Sequence, residues 1–549
     1  MALLAVLSMA ALASPALAQS TVITIDAAKK MHPISSLIYG VCFGSKDQVE
    51  ALGATINRQG GNNFTRYNWK ANTDNIDADW YFESIPGWFL GTPDTNFAPG
   101  HQADMFIADT KAAGAEPMIT IPMLGWVAKV NPDHEVLGSF AVSKYGPQQK
   151  TDPERGKFGN GIRPDGTKIT GNDPNDADIP SDVAYQKGWV EHLTKKWGRA
   201  GKGGVRYYIM DNEPGLWQST HRDVHPQGFT SDEYLNDFLG YASMVKSEDP
   251  QAKIVAPEEW GWPGFFYSGA DWQYQGEHNY QGHPDKDSHG GMDFMPWLLT
   301  QIKQHDQKTG KRLLDIFTFH IYPQGGDDNS NTSPKVELLR NRDTRSLWDP
   351  SYVDESWIKN PIMLIPRLKK LVDTYYPGTK IGITEYNWGA ESSMNGATAQ
   401  ADIEGIFGRE GLDLATRWTA PKAGTPVYSA MQMYRNYDGH HSVFGDVSVS
   451  DTAPDCDTVS SFAAIRFKDH ALTIIVINKQ LTDTAPVALS LAHFTAGGSA
   501  QVWQLAGDGK AIAHLPDVSL KGNTLKATLP AQSVTLFVVP ARSPIIIKL

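Results

Sequence analysis

Cysteine is nearly absent from this chain: its 549 residues include two, Cys42 and Cys456. Two thiols cannot build a disulfide framework, so the small stapled domain classes are excluded. Cys42 lies in the apolar run LIYGVCFG and reads as a buried thiol, while Cys456 lies in a polar stretch. Whether the two pair is left open by the sequence. Positive charge is also scarce. Forty-nine Lys and Arg against 61 Asp and Glu leave a net charge of −12. No basic stripe stands out, which argues against a nucleic-acid partner. Beyond the first twenty residues no apolar run is long enough for a bilayer, so no membrane span is expected. Internal repeats and low-complexity linkers are missing too. With 41% hydrophobic and 20% charged residues the composition is globular, which excludes disordered, collagen-like and coiled-coil classes.

What the chain has in quantity is aromatic side chains: 16 Trp, 20 Tyr and 21 Phe. A mildly acidic, ring-rich surface suits neutral ligands with flat apolar faces. Sugars fit this description, because the hydrogens of a pyranose face meet the negative face of a ring. Any single ring is still more often core than platform. The opening MALLAVLSMAALASPALAQS reads as an export signal. Its apolar stretch, 2–13, is too short to span a membrane, and Ala16-Leu17-Ala18 supplies a small-x-small cleavage pattern. A signal peptide over 1–18 is therefore expected. The mature protein should then be secreted, extracellular or periplasmic, soluble and monomeric.

From 37 to about 447 short apolar runs alternate with longer amphipathic segments. The runs are 37–44, 54–61, 116–123, 205–214, 252–260, 314–323, 380–388 and 426–434. They are rich in β-branched and aromatic residues and nearly continuous, as strands buried on both faces of a parallel sheet are. Helical patterns fall between them at 182–198 and 362–378. Eight strands with intervening helices predict an α/β fold, a (β/α)8 TIM-type barrel. The open doubly wound sheet is disfavoured, since no GxGxxG follows the first run. After about 448 the texture changes to strands and polar turns: 470–479, 486–492, 500–505, 524–529 and 533–540. These predict a packed β-sandwich domain over 448–549, joined by a strand TVITID from within 19–30.

Barrel chemistry sits at the C-terminal ends of strands. Several runs end in carboxylates: Glu213 in MDNEP, Glu258 and Glu259 in PEEW, and Glu385 in ITEYNW. One such Glu could equally cap a helix or pair with Arg58, Arg206 or Arg222. Two of them, at the ends of strands four and seven, face each other across the barrel mouth, as glycosidic cleavage requires. RQGGNNFTRYNW (58–69), YYIMDNEPGLWQSTHRDVHP (207–226), PEEWGW (257–262), RSLWDPSYVDESWI (345–358), ITEYNWG (383–389) and FGREGLD (407–413) occur in that order. In these motifs the chain resembles glycoside hydrolase family 44 over essentially its whole mature length.

The resemblance implies a secreted, retaining endo-β-1,4-glucanase of cellulase or xyloglucanase type, with a β-glucan polysaccharide as substrate and no catalytic cofactor. It implies Glu213 as general acid/base and Glu385 as nucleophile. Asn212 would contact the sugar 2-hydroxyl and Tyr322 would orient the nucleophile. Arg58 is the candidate to keep Glu385 ionised, and His320 is expected in the same neighbourhood, where a packed structural role competes. Trp69, Trp80, Trp126, Trp217, Trp260, Trp262 and Trp388 lie at or beyond strand ends, and about half are expected in the core. Trp69 and Trp388 are the favoured sugar platforms, being nearest the catalytic motifs.

Two metal readings compete. His221 and His225 have i, i+4 spacing, but no HExxH occurs and Pro226 follows, so they read as loop residues. The loop GNDPNDADIPSD (171–182) could offer oxygen ligands to a structural Ca²⁺, although it lacks EF-hand spacing. Rival functions are a xylanase or mannanase on the same barrel, or a carbohydrate-binding protein without catalysis.

Overall fold

The computed structural model describes residues 20–89 and 92–543, and the expected signal peptide falls outside them. Eight parallel strands close into a barrel in chain order: β1 (Gly40–Cys42), β2 (Ile56–Gln59), β3 (Glu116–Ile121), β4 (Tyr207–Met210), β5 (Lys253–Glu259), β6 (Ile316–Ile321), β7 (Lys380–Tyr386) and β8 (Leu414–Arg417). Almost every strand residue is buried, because helices cover the outside and side chains fill the inside. Ile56, Met118, Tyr207, Ile209, Val255, Ile316 and Leu414 pack together as one layer of that filling. The seam closes where Thr416 of β8 pairs with Gly40 of β1. Glycine is required at this point: a Cβ on Gly40 would stand 2.4 Å from the Ala415 carbonyl oxygen and 2.5 Å from the Ile56 side chain.

The helices expected around 182–198 and 362–378 form as Val183–Trp197 and Leu364–Tyr375. The eighth strand does not lie where the sequence suggested. The run 426–434 is a helix, Pro426–Arg435, and the strand is the four-residue segment upstream of it. Thr425 caps this helix by accepting from the Tyr428 N–H, and Pro426 occupies its first turn, where a missing N–H costs nothing. Val427, Ala430, Met431 and Tyr434 then bury one face at helical spacing.

The C-terminal strands form a mixed sheet folded into a sandwich: β9 (Val447–Thr452), β10 (Val459–Ile465), β11 (Leu472–Asn478), β12 (Ala485–Ala492), β13 (Ser499–Leu505), β14 (Ile512–Ser519), β15 (Thr524–Leu529) and β16 (Ser533–Val539). The N-terminal strand Thr21–Asp26 lies between β12, to which it is parallel, and β9, to which it is antiparallel. Strand β9 pairs with β10 through Val447–Val449 and with the N-terminal strand through 450–452, so it passes from one layer to the other. Ile23, Ile25, Val449, Leu489 and Phe537 meet between the layers.

Barrel and sandwich share a core. The helix Met394–Glu410 is buried from Met394 to Gly408. Phe407 meets Tyr386 of β7, while Gly405 lies so close to Phe462 of β10 that a Cβ would overlap its ring. A buried polar tie crosses the same surface: Asp402 accepts from Lys479 Nζ at 2.6 Å, from Ser460 Oγ at 2.5 Å and from Thr344 Oγ1 at 2.6 Å. Among the described residues no helix is long and apolar enough to cross a membrane. Cys42 and Cys456 are both free, and burial pushes the Cys42 thiol up to about 12.

Candidate active site

Strands β4 and β7 deliver Glu213 and Glu385 to the C-terminal mouth of the barrel. Glu213 follows β4 in a left-handed turn (φ 42°), and its N–H donates to the Glu258 carbonyl at 3.0 Å, which ties the turn to the end of β5. Glu385 is the penultimate residue of β7. One oxygen of each carboxyl lies within 4.8 Å of the other. Arg58, fully buried at the end of β2, donates to Glu385 Oε1 at 2.7 Å and to Asn212 Oδ1 at 2.7 Å, and meets Glu258 Oε2 at 2.9 Å. Tyr322 Oη donates to Glu385 Oε2 at 2.8 Å. Asn212 Nδ2 donates to Asn62 at 3.1 Å, leaving its second amide hydrogen uncommitted.

His320 on β6 joins these groups. Its Nδ1 lies 2.8 Å from Glu213 Oε1 and its Nε2 lies 3.2 Å from Glu258 Oε2. Burial alone would lower its pKa, but the charge of Glu385, then the hydrogen bonds to Glu213 and Glu258, carry it up to about 10. The ring is therefore an imidazolium donating from both nitrogens. Glu258 is held below the ordinary carboxyl range: burial pushes it up, and the Arg58 charge together with the hydrogen bond and charge of His320 outweighs that push. Glu213 goes the other way: burial raises it against the His320 hydrogen bond. Arg58 thus pairs with Glu258 and Glu385, while Glu213 is the catalytic-mouth carboxyl that burial carries upward.

Among the described residues Glu213, His320 and Glu385 are also the one trio with ligand atoms close enough to hold a metal. Each of the three already has a partner within the site: His320 lies against Glu213 and Glu258, and Glu385 holds Arg58. His221 is enclosed, with neither ring nitrogen bonded, and His225 meets Glu233 at 3.1 Å. In the 171–182 loop the carboxylates already serve protein donors. Asp173 accepts from Asn175, Asp176 from Lys144, and Asp182 from Tyr185, while Asp178 accepts from Arg66.

The two favoured tryptophans are not at the cleft. Trp388 is 2% exposed in the main core, so no sugar can reach its face. Trp69 stacks on Trp189 at 6.0 Å and donates Nε1 to the Tyr185 carbonyl, which makes it packing for the helix Val183–Trp197. Trp217 is core as well, while Trp80, Trp126, Trp260 and Trp262 are half-buried. A ring that does stand beside Arg58 is Trp418, which directly follows β8. It is half-buried, 5.9 Å from the Arg58 guanidinium, and edge-on to Phe43. Sequence reading missed it because it placed the eighth strand one element too late. Glu258 was noted as a strand-end carboxylate but not as part of the site. Trp260 and Trp262 line a hollow that opens beside His320 and Tyr322.

A closed (β/α)8 barrel with two glutamates facing each other at strands four and seven, one raised by burial and the other paired with arginine, has the layout of a barrel glycosidase. Comparison with known proteins agrees. The family model for glycoside hydrolase family 44 matches residues 73–325. The crystal structure of CelM2, a bifunctional glucanase-xylanase from a metagenome library, superposes with a TM-score of 0.93 at 52% identity, covering 95% of this chain and 99% of that one. A family 44 endoglucanase of Clostridium acetobutylium gives 0.77 at 30%, and a family 44 xyloglucanase of Paenibacillus polymyxa 0.78 at 28%, each covering 95% of this chain and 100% of the other. This chain belongs to glycoside hydrolase family 44. It spans 35% of the length of one curated relative, the β-mannanase/endoglucanase A of Caldicellulosiruptor saccharolyticus, to which it is 30% identical over 499 residues.

Proposed function

We propose that the protein is a secreted endo-β-1,4-glucanase that cleaves internal bonds of cellulose-type glucans or xyloglucan with retention of anomeric configuration. The observation that carries this reading is the approach of the Glu213 and Glu385 carboxyls to within 4.8 Å. Retaining enzymes hold the pair at about 5–5.5 Å, whereas inverting ones need roughly 6.5–9.5 Å to admit a water. Glu385, aimed by Arg58 and Tyr322, attacks the anomeric carbon as Glu213 protonates the departing oxygen. A glycosyl ester forms on Glu385. Glu213, now a carboxylate, takes a proton from the water that hydrolyses the ester and so regains its starting state. The spare Asn212 amide hydrogen is free for the sugar 2-hydroxyl. Trp418 is placed to meet the sugar face above Arg58.

Xylan is the second substrate worth weighing, because CelM2 is described as a glucanase-xylanase. Assays on carboxymethyl cellulose, xyloglucan, lichenan, xylan and mannan separate these choices. Proton NMR of the earliest products from the best of them should show the β-anomer first. An α-anomer appearing first would remove Glu385 from the nucleophile role.

A further inference from the structure

Trp260 begins a row of rings that leads away from the carboxylates. It packs on the turn that carries Glu213: a Cβ on Gly215 would stand 3.0 Å from its indole Cδ1. Trp272 follows at 5.7 Å, tilted 48°, and Tyr280 at 6.2 Å from Trp272, tilted 49°. The hollow beside His320 and Tyr322 shares Trp262 and Trp357 with a wider one of about 850 Å³, lined also by Trp272 and Tyr280. The two therefore adjoin at Trp262 and Trp357. Tyr280 is 70% exposed and Trp357 53%, so both keep large apolar surface open to the wider hollow. Charged side chains are absent from the described lining of the wider hollow, whose polar members are Gln275 and Asn360 alongside the tyrosines. This chemistry fits a neutral polyhydroxyl ligand and not a peptide or an anionic polymer.

Resting on the glucanase reading above, we propose that Trp272 and Tyr280 form a distal platform for the sugars on the leaving-group side of a long glucan chain. The side follows from geometry. The row starts at the acid, which touches the departing sugar, whereas Trp418 stands on the Arg58 side of Glu385. Binding energy gathered there lies remote from the reacting bond and tells on long substrates only.

The test uses Trp272→Ala, Tyr280→Ala and the double variant on two substrates: a soluble β-1,4-glucan polymer, and an aryl β-cellotrioside followed by release of its aryl alcohol, a cleavage that puts no sugar on the leaving-group side. The double variant should lose roughly tenfold in kcat/KM on the polymer, about 1.4 kcal/mol, mainly through KM. Its turnover of the aryl cellotrioside should match the wild type. An unchanged polymer reaction, or equal losses on both substrates, overturns the platform while leaving the glucanase reading intact. A wild-type protein that cleaves neither substrate overturns the glucanase reading, and the platform with it.

Discussion

Each ionisable residue at the barrel mouth has its state set by a neighbour, and His320 has the most neighbours. As an imidazolium it lowers Glu213 by hydrogen bond and by charge, while burial raises it. Removing that positive charge leaves burial and the Glu385 charge opposed by Arg58 alone, so the folded pKa of Glu213 must climb. In the proposed mechanism the general acid then stays protonated to higher pH. His320→Gln should therefore move the alkaline limb of the kcat/KM profile upward while lowering its maximum. A limb that stays in place as the whole profile sinks would make His320 a packing residue only. Glu259 is a second instructive residue. It is fully buried with Oε2 unpartnered, and burial pushes it up to about 8, so it is neutral at neutral pH. Of the consecutive glutamates in PEEW, then, one is a charged member of the site and the other a neutral neighbour of the Gly215 turn. The sequence shows two equivalent letters. The difference arises because β5 loses regular pairing between Ala256 and Glu259, and Glu258 adopts φ 58°. A strand that kept strict alternation would have sent the two side chains to opposite faces.

At the level of elements, seven barrel strands were legible because each is a continuous apolar run flanked by polar turns. The eighth was not. Four residues, LATR, carry too little pattern to read, while the downstream PVYSAMQMY is rich in aromatic and branched residues that suit a strand equally well. The Thr425 cap settled the contest in favour of a helix. The same misplacement hid Trp418, so an error of topology became an error at the site. Trp69 and Trp388 failed for a related reason: closeness in sequence to a catalytic residue says nothing about which way a ring faces. Glu213 and Glu385 were legible because a carboxylate ending an apolar run is rarely there for packing. The barrel seam supplies the prediction at this scale. Gly40→Val would drive two methyl groups into the Ala415 carbonyl and Ile56, forcing β1 away from β8. Such overpacking typically costs about 1–3 kcal/mol. The urea midpoint should fall accordingly, and an unshifted midpoint would show that the seam can open without penalty.

Taken whole, the molecule has a main apolar cluster that runs from the barrel into the sandwich, beside the sandwich's own interior. Phe462, Ile475, Ile477, Leu536 and Val538 of the sandwich pack in the same cluster as Phe407 and Tyr434 of the barrel helices. A chain ending near Ser448 would bare that surface and leave Asp402 without Lys479. It should be recovered as insoluble or protease-sensitive protein. A soluble truncation with full activity would show that the barrel stands alone. The position of the N-terminal strand has a temporal consequence. Asp26 is held by His493, 467 residues further on, and Thr21–Asp26 pairs only with strands that begin at Val447 and Ala485. At ~5–20 residues per second a ribosome needs roughly 20–80 s to travel from this strand to its first partner. Throughout that interval Ile23 and Ile25 have no sheet to join. The protein is therefore assembled as a clasp: what is made first can be fastened only by what is made last.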